Sequence, residues 1–280
     1  MKHLSKPQLS IKQILEDCAA SYCPDTREGI KQRLRTSSRH IQDASEIYDS
    51  EAQAGNWSSF LPHTTVNGIL SKDDMCDIYD SKFVKVKSIR NKYYDHLMSL
   101  ATTGKCPICG IGQASTLDHY LAKTIYPTYA VTPYNLVPIC KDCNFEKRDA
   151  CVDPDCAPLH PYYDDIDLHL WLKARIVSKQ GVLISEFFVN DELVGIDSTL
   201  FSRLKKHMCL YSLEKAYAIQ AATEIAENTP FWRKKIAEWG EVCFAEYLRE
   251  CLESKEGFQR NTWNTALLRA LIENISVLKE

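Results

Sequence analysis

Apolar residues recur at helical spacing over the first 100 residues and again over the last 80, and lose that period in between. Near the N-terminus Ile11, Ile14, Leu15 and Cys18 line one face of a predicted helix. Residues 50–68 are rich in small and turn-forming side chains and read as a long loop. A second helical pattern runs from Asp73 to Leu100. Gly and Pro punctuate residues 104–150, and residues 151–165 form a Pro- and Asp-rich connector. Arg175–Val177 and Val182–Val189 are rich in β-branched and aromatic residues around Ser-Lys-Gln-Gly, which predicts a hairpin. Ser198 can cap a helix carrying Leu200, Leu204 and Met208. Thr229–Pro230 reads as an N-cap with Pro at the first helical position. The helix it would start has Trp232, Ile236, Trp239, Cys243 and Tyr247 on one stripe, a core or a partner interface. Trp263, Leu267, Leu271, Ile275 and Leu278 mark a last helix. The organisation expected is a helical region over 1–100, a separate module over 101–150, and a connector, hairpin and helices over 151–280.

Composition narrows the class. The chain has 280 residues, 45% hydrophobic and 25% charged, ordinary proportions for a folded globular protein. Its net charge of −3 counts against a free-standing, tight nucleic-acid binder, which usually carries a basic excess. Two local segments run the other way. Arg27, Lys31, Arg33, Arg35 and Arg39 face only Glu28, and Lys82, Lys85, Lys87, Arg90 and Lys92 face only Asp95. Such segments are solvated helix faces or contacts to a nucleic-acid backbone. The N-terminus has no apolar signal-peptide core, and no apolar run approaches the length of a membrane span. A cytoplasmic location is therefore expected, with thiols reduced. Twelve cysteines then read as metal ligands where paired and as small buried hydrophobes elsewhere, at 18, 23, 76, 151, 156, 209, 243 and 251.

The pairs are Cys106/Cys109 and Cys140/Cys143, each a Cys-x-x-Cys knuckle. Four thiolates saturate a tetrahedral Zn²⁺ and leave no position for water, so this zinc is structural. It would tie both ends of an insert that holds Asp118, His119 and Asn135, with Asn144 directly after the last cysteine. Leu117-Asp118-His119 reads as the end of a short strand, whose neighbouring side chains diverge unless the backbone turns. A hairpin packed on a short helix would bring Asp118 and Asn144 together. Cys151, Cys156 and His160 could form a second metal site, though connector residues are the simpler reading. His160 and Tyr162 could also line a cleft or pack on the zinc module.

The set Asp118-His119, Asn135 in Tyr-Asn-Leu-Val-Pro, and Asn144 and Lys147 in Cys-x-x-Cys-Asn-x-x-Lys resembles the HNH (ββα-metal) nucleases. That resemblance covers about 45 residues and departs from the family at Ala122, where many members have Pro. It implies a mainly α chain with a small, treble-clef-like, zinc-stabilised HNH module followed by the hairpin. It implies a metal-dependent endonuclease that leaves 5′-phosphate and 3′-hydroxyl ends. His119 would be the general base, Asp118 and Asn144 would hold Mg²⁺ or Mn²⁺, and Asn135 would fix the loop that orients His119. Lys147 and Lys123 would contact the substrate phosphates. DNA is expected as substrate ahead of RNA. The plan also resembles the HNH subunit of ATPase-coupled anti-phage systems of the Septu type, which implies an ATPase partner. The rival reading is a catalytically silent, zinc-stabilised adaptor.

Overall fold

The computed structural model describes residues 1–22, 24–148 and 157–279, the side chains of 24–28 excepted. Mainly helical, it divides into two compact units, His3–Asp164 and Asp165–Glu280 with Met1–Lys2. The segments read separately as 1–100 and 101–150 lie, from His3 on, within the first unit.

In that unit α1 (Ile11–Ala20) is capped by Ser10, whose hydroxyl accepts from the Gln13 amide, and buries Ile14, Leu15, Cys18 and Ala19. Helix α2 (Pro24–Gln53) packs against it. The next residues are less loop-like than their composition suggests. α2 continues to Gln53, and Trp57 and Phe60 are buried in an aromatic cluster with Tyr48, Tyr120 and Tyr129. Each such ring contributes roughly 2–3 kcal/mol by leaving water. A small hairpin follows, β1 (Thr65–Val66) and β2 (Leu70–Ser71).

The pattern from Asp73 to Leu100 is helical but not one helix. It breaks into α3 (Lys72–Asp77), a π-helical stretch (Ile78–Phe83), α4 (Lys87–Ile89), a second π-helical stretch (Arg90–Tyr94) and α5 (Asp95–Ser99). Such insertions re-aim side chains and are frequent at functional sites. Here they bury Tyr79, Phe83, Tyr93 and Tyr94. Strands β3 (Thr116–His119) and β4 (Leu136–Ile139) pair antiparallel, Asp118 opposite Val137 and His119 opposite Leu136. Helix α6 (Lys141–Lys147) starts directly after β4. Leu117, Val131 and Leu136 join the core formed by Ile14, Leu34, Ile78, Phe83 and Leu97, so the β3–β4 segment is packed into the helical region.

In the second unit β5 (Leu172–Lys179) and β6 (Val182–Val189) form the expected hairpin, turning at Gln180–Gly181. It packs on α8 (Leu213–Glu256) and α9 (Trp263–Glu273). Three sequence expectations change here. Asp197, not Ser198, caps α7 (Ser198–Leu210), accepting from the Leu200 amide at 2.7 Å. Thr229 does not start a helix, because α8 runs through Pro230 and the Thr229 hydroxyl donates back to the Ile225 carbonyl at 2.6 Å. The break falls instead at Gly240, whose φ of 79° and ψ of 164° suit glycine alone. The aromatic stripe is divided in burial: Trp232 and Ile236 are buried, whereas Trp239, Cys243 and Tyr247 are exposed. Nor are the scattered cysteines uniformly buried. Cys18 is, Cys76 and Cys251 are half-buried, and Cys209 is exposed. Cys23, Cys151 and Cys156 lie outside the described residues. Among the described residues no helix is long and apolar enough to cross a membrane.

Candidate functional site

The sulfurs of Cys106, Cys109, Cys140 and Cys143 lie within 4.8 Å of one another, and all four residues are buried. A tetrahedral zinc with Zn–S bonds of about 2.3 Å requires sulfurs about 3.8 Å apart. Cys109 Sγ and Cys140 Sγ are 3.8 Å apart. Local backbone supports the same fit. The Ile111 amide donates to Cys109 Sγ at 3.5 Å, and the Cys143 amide to Cys140 Sγ at 3.4 Å, as thiolate acceptors in knuckles require. Gly112 lets the two knuckles meet: a Cβ there would lie 2.8 Å from Cys140 Cβ and 3.0 Å from its sulfur. The cluster is thus compatible with a four-thiolate zinc, and Cys140 doubles as the cap of α6.

The same knuckle therefore launches the helix that faces β3. At the end of β3, Asp118 and His119 are both nearly buried, 9% and 8% exposed. The His119 Nε2 atom lies 2.8 Å from the Ala130 carbonyl. A carbonyl only accepts, so Nε2 carries the proton and Nδ1 keeps its lone pair. The edge of the Tyr79 ring meets the imidazole with centroids 4.3 Å apart. Burial pushes the His119 pKa down to about 3; Lys123 and Lys147 act in the same direction and the Ala130 bond against it. The imidazole is consequently neutral at physiological pH.

A cavity of about 250 Å³ opens over these groups, lined by Asp118, His119, Asn144 and Lys123 together with Tyr79, Leu117, Ala122 and Arg148. Consecutive strand residues thus reach one cavity, which alternation alone would have prevented. Lys123 stands at its edge, paired with Asp80 at 2.5 Å and lying over the Tyr79 ring at 4.6 Å.

Two residues expected at the site are placed behind it. Lys147 is 2% exposed; its Nζ donates to the His119 carbonyl at 2.6 Å and pairs with Asp118 Oδ2 at 3.0 Å. Its ammonium is consumed in holding α6 to β3, which corrects the expectation of a phosphate contact. Asn135 is fully buried. Its Oδ1 accepts from the Leu121 amide at 2.7 Å and the Tyr48 hydroxyl at 3.2 Å. Its Nδ2 donates to the carbonyls of Leu121 at 2.9 Å and Tyr129 at 3.1 Å. It clips together the loop between the strands, one residue from the carbonyl that holds His119.

His160 sits in the aromatic cluster, its ring stacked on Trp57 at 5.7 Å and its Nδ1 accepting from the Tyr162 amide at 3.1 Å. It packs rather than lining the cavity. Sequence reasoning missed Tyr79, Tyr94, the Ala130 carbonyl and Arg148. The Tyr94 hydroxyl accepts from the Leu117 amide on β3 at 3.3 Å. Helical periodicity hides both tyrosines, because the π-helical turns move them off the regular stripe.

Fold and site together define a mainly helical protein with a four-cysteine cluster suited to metal and a histidine–carboxylate cavity beside it. Compared with known proteins, the chain is 32% identical over 171 residues to Protein ea31 of Escherichia phage lambda. The match covers 59% of this chain and 57% of that protein, so the chain spans somewhat over half the length of its relative. No family model matches the chain, and no solved structure matches it.

Proposed function

We propose that the chain is a metal-dependent endonuclease of the HNH type that hydrolyses phosphodiester bonds in nucleic acid, with DNA as the first substrate to test. The observation that carries this reading is the cavity itself. It gathers Asp118, a neutral buried His119 and Asn144 from a strand pair and the following helix, beside four thiols with zinc-like spacing. Histidine, carboxylate and amide in one small polar cavity are the groups that phosphodiester hydrolysis asks for.

The carboxylate of Asp118 and the side-chain oxygen of Asn144 are hard donors, and Mg²⁺ characteristically takes only one or two protein ligands beside substrate phosphates. A Mg²⁺ or Mn²⁺ ion held there would supply charge stabilisation to the scissile phosphate and the departing 3′ oxygen. The remaining work belongs to the chain. Ala130 fixes the imidazole by its Nε2–H, leaving Nδ1 to take the proton of the attacking water. The water oxygen bonds to phosphorus as the bond to the 3′ oxygen breaks; the departing 3′ oxygen takes a proton from solvent, giving a 5′-phosphate and a 3′-hydroxyl. The incoming phosphodiester brings negative charge beside the ring, which favours the protonated imidazole formed in that step. Lys147 keeps Asp118 and the His119 backbone in register.

Replacing His119 with Ala should lower the cleavage of plasmid DNA about 10²- to 10⁴-fold with Mg²⁺ or Mn²⁺. Zinc content should match the parent, and the thermal midpoint should fall by several degrees because the Ala130 carbonyl loses its partner, so cleavage is compared well below both midpoints. Unchanged cleavage would remove the assignment, and a parallel incubation with bulk RNA separates the two polymers. The resemblance to the Septu-type subunit adds an ATPase partner and an anti-phage role to this proposal. Co-purification from a native host, with and without ATP, tests that part.

A further inference from the structure

We infer that Arg148 is the residue that grips a phosphate of the nucleic-acid strand at this cavity, an assignment that rests on the nuclease reading above. Among the described residues three cations, Lys123, Lys147 and Arg148, stand at or behind the site, and two are already engaged. Lys147 is buried against Asp118 and the His119 carbonyl. Lys123 is paired with Asp80. Arg148 is exposed, lines the cavity with Asp118, His119 and Asn144, and has no carboxylate within ion-pair distance among the described residues. Its guanidinium lies over the ring of Phe145, 4.8 Å from the centroid, which limits the orientations it samples. Phe145 is 66% exposed, one residue after Asn144, so Arg148 is braced from the solvent side of α6.

The backbone adds an independent sign. Arg148 ends α6 with φ 48° and ψ −144°, a left-handed conformation that side chains other than glycine's rarely adopt. A glycine would satisfy helix termination without strain. Arginine stands there instead, and its planar fork matches two oxygens of one phosphate in a way a lysine ammonium does not. It thus fills the role that the buried Lys147 cannot.

The experiment compares Arg148→Gly, Arg148→Lys and a control, Lys12→Ala, which removes an exposed cation on α1. Binding to a fluorescent DNA duplex is measured between about 50 and 200 mM salt in the His119→Ala background, and cleavage in the otherwise unaltered full chain. Arg148→Gly should keep its zinc and its thermal midpoint, because glycine suits the angle. It should raise KM about tenfold or more with a smaller change in kcat, and reduce the slope of log affinity against log salt by about 0.9. Arg148→Lys should restore most of that slope but not the affinity, and Lys12→Ala should change neither. Should Arg148→Gly lose thermal stability, Arg148→Gln decides with the same readouts, since it keeps a side chain and drops the charge. Affinity and slope equal to the parent, or an equal loss in Lys12→Ala, would overturn the assignment while leaving the nuclease reading intact. A parent protein that neither binds nor cuts nucleic acid would remove both.

Discussion

Consider Asn135→Ala. The residue is fully buried, so no solvent stands ready to replace the bonds it makes. Truncation strands the Leu121 amide and the Leu121 carbonyl, and takes one partner each from the Tyr48 hydroxyl and from the Tyr129 carbonyl, which keeps the Thr132 amide at 3.2 Å. A stranded buried polar group costs about 1–3 kcal/mol. The two stranded groups belong to one residue and can relax together, so their costs are coupled. A loss of about 4 kcal/mol, the middle of the range for two such groups, is expected. For a unit of this size, each kcal/mol shifts the thermal midpoint by about 2–4 °C, which gives a fall of roughly 8–16 °C.

The same change has a functional consequence, because Tyr129 precedes the residue whose carbonyl orients His119. Cleavage should fall with stability while zinc, held at the far end of β4, is retained. Thermal unfolding followed by circular dichroism, with zinc measured on the same samples, provides the test. Asn135→Asp sharpens it: the acceptor bonds survive, whereas both donated bonds are lost and a carboxylate faces two carbonyls. A midpoint within about 3 °C of the parent for both variants would refute the reasoning.

Two further substitutions probe the scaffold. Gly112→Ala would drive a methyl group into Cys140, with contacts of 2.8 and 3.0 Å to its Cβ and sulfur. Zinc should drop well below one ion per chain by elemental analysis, and full occupancy would show that the knuckles do not need that close approach. Lys147→Met keeps much of the side-chain volume but removes the ammonium from buried Asp118 and from the His119 carbonyl. Losing one partner of a buried ion pair costs about 3–5 kcal/mol, read by urea unfolding. A change under about 1 kcal/mol would mean that this pair does not hold α6 to β3.

The parts of this fold legible in the sequence are those set by local chemistry. The knuckles reveal themselves by spacing, the β5–β6 hairpin by β-branched residues around a glycine, and α1 by its apolar stripe. Readings failed where distant residues decide the local outcome. Thr229–Pro230 has the composition of a helix start, yet flanking helix on both sides carries α8 through it. Residues 54–61 look like a loop because their small side chains hide two rings that the aromatic cluster buries. Lys147 looks like a surface lysine until the antiparallel register puts β3 beside α6. Whether a lysine is a substrate contact or a buried strut depends on the carboxylate it meets, and Asp118 is 29 positions away.

The motif also does not build its own site. β3 and β4 have four residues each, and an isolated two-stranded pair is marginal in water. Part of what holds β3 and the cavity edge comes from residues well before the first knuckle. Tyr94 takes the Leu117 amide, Tyr79 closes over His119, and Asp80 holds Lys123 at the cavity edge. Tyr79 and Asp80 belong to the first π-helical stretch and Tyr94 to the second. Their irregular turns have an identifiable purpose, since an uninterrupted helix repeats every 3.6 residues and would carry these side chains to other faces. The basic residues of the same stretches point elsewhere: Lys82 lies over the Tyr22 ring and Lys92 pairs with Asp17. The π-helical stretches thus set two tyrosines against the strand that carries Asp118 and His119, and pair Asp80 with Lys123 in the loop beyond it.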